Sequence, residues 1–220
     1  MTGHVALLGD SILDNAAYTL GGPAVITQLQ GLLPDGWQAS LLALDGSMIE
    51  DLDPQLARLP PDASHLVIAV GGNNVLSNLD VLELRVKSSS EALLKLGQRM
   101  ATFERAYRKA IDHAISLGRE MIVCTIYNGN LDAAEGIDAS LLPDPAVARV
   151  GLTAFNDVIL RVAFENRLPV IDLRLVCSEP ADYANPIEPS SRGGEKIARA
   201  IVRALGLADD ASPFSRVFTD

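Results

Sequence analysis

Five short apolar runs punctuate this chain, at residues 4–8, 38–43, 65–70, 121–126 and 170–173, and longer amphipathic stretches separate them. Three of the runs are rich in Val and Ile and show little polar alternation. A strand that alternates apolar and polar residues has one wet face, whereas a continuous apolar strand is covered on both. Between the runs, residues 16–32, 90–117, 147–166 and 190–205 carry apolar side chains at helical spacing. Gly21-Gly22-Pro23 interrupts the first of these, and Gly118 is a natural stop for the second. The β-α alternation predicts a doubly wound, three-layer α/β/α sandwich of about five parallel strands. Residues 1–208 are expected to form one α/β domain, with 209–220 as a polar tail. Residues 128–144, punctuated by Gly129, Gly136 and Pro143, read as a loop at the C-terminal edge of the sheet, where such folds bind ligands.

Composition narrows the function classes. Of the 220 residues, 48% are hydrophobic, enough for a sizeable core, and the formal net charge is -10. Phosphate backbones and anionic membrane surfaces need basic protein surface, so neither nucleic acid nor membrane is an expected partner. Met1-Thr2-Gly3-His4 lacks a basic region, and the apolar run after it is too short for a signal peptide. No stretch approaches the ~20 apolar residues of a transmembrane helix. These features together predict a soluble cytoplasmic protein. Cys124 and Cys177 lie in or beside apolar runs and are expected as buried free thiols. With His4, His65 and His113 they show no metal-ligand spacing, so no metal or other cofactor is expected.

Three fragments fall where predicted strands end: Gly9-Asp10-Ser11, Asp45-Gly46-Ser47 and Gly71-Gly72-Asn73-Asn74. In a doubly wound sheet these ends share one edge, so the fragments can converge on one crevice. Acyl transfer needs a nucleophilic oxygen and donors aimed at the developing oxyanion. Ser11 can supply the first. The N–H groups of Ser11 and Gly46 and the Asn73 amide can supply the second, with Ser11 expected at the start of a helix. Asp10 reads as an organiser of the turn. Asp14, Asn15, Asn74 and Asn128 are candidates to touch substrate, and Asp14 and Asn15 could equally cap a helix that follows Ser11. Tyr18, Tyr127 and Tyr183 suit either pocket lining or packing.

These motifs resemble those of the GDSL, or SGNH, hydrolase family. Its pattern is a Gly-Asp-Ser near the N-terminus, a Gly after the second strand, Gly-x-Asn-Asp after the third, and Asp-x-x-His before the last helix. Gly9-Asp10-Ser11, Gly46 and Gly71-Gly72-Asn73 follow it in order, and Pro189-Ser190-Ser191-Arg192-Gly193-Gly194 leads into the final helix in the familiar way. The resemblance implies a flavodoxin-like fold with strand order 2-1-3-4-5, and an esterase or acylhydrolase acting on a small-molecule ester through an acyl-enzyme on Ser11.

The chain departs from that pattern in two places. Asn74 replaces an Asp, and Asn185 and Glu188 replace the Asp and His of the last motif. His4 and His65 begin strands and so lie at the opposite sheet edge, and His113 sits deep in a long helix, so none is expected to reach Ser11. Glu188 is the candidate general base. An unperturbed Glu has a pKa of about 4.3, and burial would raise it toward the range a base needs. A protonated Glu is neutral and needs no anionic partner, so Asn185 in place of Asp is chemically consistent with Glu188 in place of His. Glu188 could instead pair with Arg192 or cap the next helix, and Asp182 is a second acid close by. Two other readings of the whole chain stand beside the hydrolase: a catalytically silent ligand-binding protein on the same frame, and a nucleotide or flavin binder. The last lacks both a Gly-x-Gly-x-x-Gly fingerprint and a phosphate-loop Lys.

Overall fold

The computed structural model describes residues 2–132, 143–208, 215, 217 and 218. Five parallel strands, β1 (Gly3–Gly9), β2 (Trp37–Leu41), β3 (His65–Ala69), β4 (Glu120–Cys124) and β5 (Val170–Ile171), form one sheet in the order β2-β1-β3-β4-β5. This is the expected flavodoxin-like order, with the switch point between β1 and β3.

The central strands read as unbroken apolar runs because each face is buried against a different core. Ala6 and Leu8 of β1, Leu66 and Ile68 of β3 and Val123 of β4 point to one side. There they meet Phe103, Tyr107 and Ile111 of α4 (Ser89–Ser116) and Ile159 and Val162 of α5 (Pro145–Glu165). Val5, Leu7, Val67 and Ile122 point to the other side. That side is covered by Val25 and Leu29 of α1 (Val25–Leu32) and Ile197 and Ile201 of α7 (Ser191–Ala204). Both cysteines are buried free thiols, as expected.

Helix boundaries follow local chemistry. Ser88 caps α4 through the Glu91 N–H, and Gly118, at φ +66°, ends it in the left-handed region. Asp144 accepts from the Ala146 N–H at 2.8 Å to start α5, which has Pro145 in its first turn. Short helices α2 (Leu52–Leu56), α3 (Gly72–Leu76) and α6 (Leu173–Val176) follow β2, β3 and β5.

Three expectations need correction. The helix read over residues 16–32 begins only at Val25; Ala16–Tyr18 is a 3-10 turn, and Gly21-Gly22-Pro23 separates the two. Ser11 therefore sits in a single hydrogen-bonded turn rather than at a helix start, with Leu13 and Asp14 N–H both donating to the Asp10 carbonyl at 3.1 Å. Leu93 and Leu94, placed on the apolar face of the long helix, are exposed, because the buried residues of α4 begin only at Phe103. Part of the 128–144 loop and nearly all of the 209–220 tail lie outside the described residues.

Gly9 ends β1 at φ +127°, and a Cβ there would stand 1.7 Å from the Ala69 carbonyl oxygen of β3. No side-chain rearrangement relieves a clash with backbone. Gly9→Ala is expected to destabilise the fold by about 3 kcal/mol or more, from strain and overpacking together. Equilibrium urea unfolding of the two proteins checks this.

Candidate active site

Asp10 and Ser11 follow β1, Asn73 opens α3 after β3, and Tyr127 and Asn128 lie just past β4. All border one cavity of about 450 Å³, together with Glu188. Its remaining wall is largely aliphatic, built by Val75, Leu79, Leu82, Leu96, Leu131 and Val150 among others.

Glu188 reaches this cavity from a loop held at several points. Tyr183 and Pro189 form an antiparallel bridge, and the Ala184 N–H donates to the Glu188 carbonyl at 2.9 Å. The Asn185 side-chain oxygen accepts from the Ile187 and Glu188 N–H groups, both at 2.9 Å. Tyr127 donates its hydroxyl to the Ile187 carbonyl at 2.6 Å. Asn185 thus shapes the turn that aims Glu188, through its side-chain oxygen. Neither competing role for Glu188 is realised. Arg192 pairs with Glu179 and Asp182, and Ser190 caps α7 through the Gly193 N–H.

The Glu188 side chain is 8% exposed, and burial raises its pKa to about 7. The Ser11 hydroxyl donates toward its carboxylate, which opposes that rise, and the Asp45 charge adds to it. Asp10 is pushed up to about 7 as well. Burial is the main cause, the Ile12 N–H opposes it, and the Glu188 charge adds to it. Asp10 Oδ1 accepts from the Ile12 N–H at 3.1 Å, so this residue does organise the turn.

The turn after β2 is tied to both neighbours. Asp45 N–H donates to Asp14 Oδ2 at 3.0 Å, and the Tyr18 hydroxyl donates to Asp45 Oδ2 at 2.7 Å. The Asn73 amide donates to the Ser47 carbonyl at 2.9 Å, which leaves its second N–H free for another acceptor. Gly46 lies between these ties at φ +80°, exposed, with nothing within 4 Å of the place a Cβ would take. It borders a shallower groove with Asp45 and Ser47 rather than the Ser11 cavity.

Of the proposed substrate contacts, Asn128 lines the cavity. Asn15 is fully buried and committed elsewhere. Its oxygen accepts from the Val25 N–H at 2.9 Å at the start of α1, and its amide donates to the Pro189 and Ser190 carbonyls. Asn74 accepts from the Ile49 N–H and donates to Glu50, tying α3 to the segment before α2. Asp182 is buried and ion-paired with Lys196 at 2.8 Å, a structural acid. Tyr183 donates to the Cys177 carbonyl and meets Tyr127 edge to face. His4 bonds Ser40 and Asp62, His65 bonds Ser64, and His113 bonds Asp53; none lines the cavity. Among the described residues no group of three or more His, Cys, Asp or Glu side chains is placed to hold a metal, and no helix is long and apolar enough to cross a membrane.

The GDSL-like lipase/acylhydrolase family model matches residues 7–195, a span that holds Ser11 and Glu188. The chain belongs to that family. Solved structures with the same fold include an alpha/beta hydrolase from the metagenome of Lake Arreo, 17% identical, at TM-score 0.67 over 96% of this chain and 99% of that one. A catalytic mutant of an acetylxylan esterase from Geobacillus stearothermophilus is 19% identical, at TM-score 0.65 over 97% and 99%. An extracellular lipase from Streptomyces rimosus is 16% identical, at TM-score 0.63 over 93% and 100%. No curated protein matches the sequence.

Sequence reasoning missed Gln55. Its buried amide accepts from the Gly9 N–H at 2.7 Å and donates to the Gly9 carbonyl at 2.8 Å, fixing the residue two before Ser11. A Gln in a five-residue helix carries no pattern that marks it as inward-facing.

The raised pKa of Glu188 has a stability consequence of definite sign. The folded state binds its proton more tightly than the unfolded chain, so the stability it contributes is full below about pH 4.5 and is lost as pH rises through about 7. Gln mimics the protonated form at all pH. Glu188→Gln is therefore expected to be more stable than the native protein by about 1–3 kcal/mol at about pH 8, with the gap closing at about pH 4. Urea unfolding at the two pH values measures it.

Proposed function

We propose that the protein is a serine ester hydrolase that forms an acyl-enzyme on Ser11, with Glu188 as general base. The observation that carries this reading is the Glu188 carboxyl itself: buried beside the Ser11 hydroxyl, in a cavity of the family's fold, with its pKa lifted to about 7. A base works best when its pKa lies near the working pH.

Ser11 Oγ attacks the ester carbonyl carbon as its proton passes to the Glu188 carboxylate. The Ser11 N–H and the second N–H of Asn73 hold the resulting oxyanion, while Gly46, the third donor expected from the sequence, borders the neighbouring groove. The tetrahedral intermediate collapses, the C–O bond to the alcohol breaks, and the leaving oxygen takes the proton from Glu188. Water then attacks the acyl carbon, again giving a proton to Glu188. Collapse breaks the bond to Ser11 Oγ, which recovers that proton, and the carboxylic acid departs.

The aliphatic wall favours a neutral ester with an apolar acyl chain. Among the described residues lining the cavity no Lys, Arg or His offers a counter-charge to an anionic substrate. Asn128 is the candidate to orient the substrate's polar part.

Two expectations test the chemistry. Ser11→Ala and Glu188→Gln should each lower kcat for p-nitrophenyl ester hydrolysis by about 100-fold or more while circular dichroism stays unchanged. In the native protein kcat/KM should fall as pH drops through about 7, because the protonated Glu188 cannot accept the Ser11 proton. A ligand-binding protein without turnover would instead give no Ser11-dependent rate. For the pocket, kcat/KM for the octanoate ester should exceed that for acetate by about tenfold or more, given about 0.8 kcal/mol per buried methylene.

A further inference from the structure

Two carboxylate oxygens in the Ser11 cavity are buried without a hydrogen-bond partner among the described residues: Asp10 Oδ2 and Glu188 Oε2. Both side chains are more than nine-tenths buried, and both line the same cavity. The groups that bear on them are acidic or neutral. Tyr18 and Asp45 come from the segments after β1 and β2, Cys124 and Tyr127 from the end of β4 and just past it, and the Ser11 hydroxyl from beside Glu188. With no cation lining the cavity among the described residues, two ionised carboxylates there would repel one another uncompensated, and one retained proton removes that repulsion.

The surroundings are unequal. Ser11 favours the ionised form of Glu188, the Ile12 N–H and the Gly71 backbone favour that of Asp10, and Asp10 is the more deeply buried and feels the Glu188 charge. Asp10 Oδ1 accepts from the Ile12 N–H at 3.1 Å, and Oδ2 lies 3.8 Å from the place a Cβ on Gly72 would take. We propose that Asp10 and Glu188 hold one proton between them, and that turnover runs through the form with the proton on Asp10 and the charge on Glu188, so that the reactive site carries one negative charge rather than two. This rests on the reading of Glu188 as base. In the forward step the pair begins with one proton and one negative charge and receives the Ser11 proton. It is then neutral, and the single negative charge stands on the oxyanion. When Asp10 also ionises, a second negative charge faces the forming oxyanion and opposes the step. Asp10 is thus a positioning residue whose proton sets the upper pH limit of the reaction.

The test is the pH profile of kcat/KM for p-nitrophenyl octanoate, from about pH 5 to about pH 9, in the native protein, Asp10→Asn and Glu188→Gln. The native profile should be bell-shaped. Asp10→Asn, whose amide oxygen can still accept from the Ile12 N–H, should keep the acid limb and lose the alkaline one. An alkaline limb that survives Asp10→Asn, or a native profile without one, overturns the proposal. Retained turnover in Glu188→Gln would remove the base reading instead, and with it the catalytic role of the Asp10 proton. Infrared titration of the carboxyl stretch reads the pair without turnover and without an Asp10 variant. A protonated carboxyl should persist in the native protein near neutral pH and, in Glu188→Gln, lose its proton about one unit lower. A titration that does not move between the two overturns the proposal.

Discussion

The end of β1 is held from three directions, and the site is built outward from it. Gln55 pairs with both backbone groups of Gly9, the Leu44 N–H also donates to the Gly9 carbonyl, and the Asp10 N–H donates to Ala69. The Gln55 bonds are buried, where a backbone group without a partner costs about 1–3 kcal/mol. The same device holds the far side of the cavity. Asn156, fully buried on α5, accepts from the Ile126 N–H and donates to the Ile126 carbonyl, both at 2.8 Å. Two side-chain amides therefore stand in for strand neighbours at the places where β1 and β4 run out of sheet. Ser11 follows one fixed point and Tyr127 the other, so residues on turns inherit the rigidity of the sheet.

This arrangement also explains what the sequence could and could not disclose. The strands were legible because burial on both faces removes polar residues from the pattern: Val5 and Leu7 face one core, Ala6 and Leu8 the other. The motif residues were legible because strand ends of a doubly wound sheet share an edge. Gln55 and Asn156 were not, since each acts through backbone groups 46 and 30 residues away and no local spacing points to them. The start of α1 was misplaced for a related reason. Asn15 does serve that helix, but from ten residues upstream across the Gly21-Gly22-Pro23 break, a tertiary contact and not a local cap. β5 came out shorter than its apolar run because Asp172 turns to cap α6, accepting from the Arg174 N–H, while Thr125 donates to it.

The distribution of charge around the last loop decides the character of Glu188. α7 brings Arg192 and Lys196 close, and either would hold a neighbouring carboxyl in its ionised form. Both are engaged by Glu179 and Asp182. Asp182 is fully buried, yet two cations face it; Glu188, six positions on, has none among the described residues. The loop thus separates a structural acid from an acid left facing an apolar cavity. The two differ in counter-charge rather than in burial, and it is the missing counter-charge that lets desolvation raise the Glu188 pKa.

In the proposed mechanism, Glu in place of His changes how charge moves during acyl transfer. A neutral His becomes a cation as the oxyanion forms, so two charges appear from none, and an Asp behind the His stabilises the cation. A Glu base begins as an anion and ends neutral, so one negative charge moves from carboxylate to oxyanion and none is created. In a cavity of low polarity that transfer asks nothing of a counter-ion, but every further negative charge nearby works against it. Asp at position 185 could accept the same two backbone N–H groups as Asn185 does and would shape the turn equally well. It would also add a charge close to Glu188, pushing its pKa above the working range and opposing the oxyanion. Asn185 keeps the geometry of the turn without that charge.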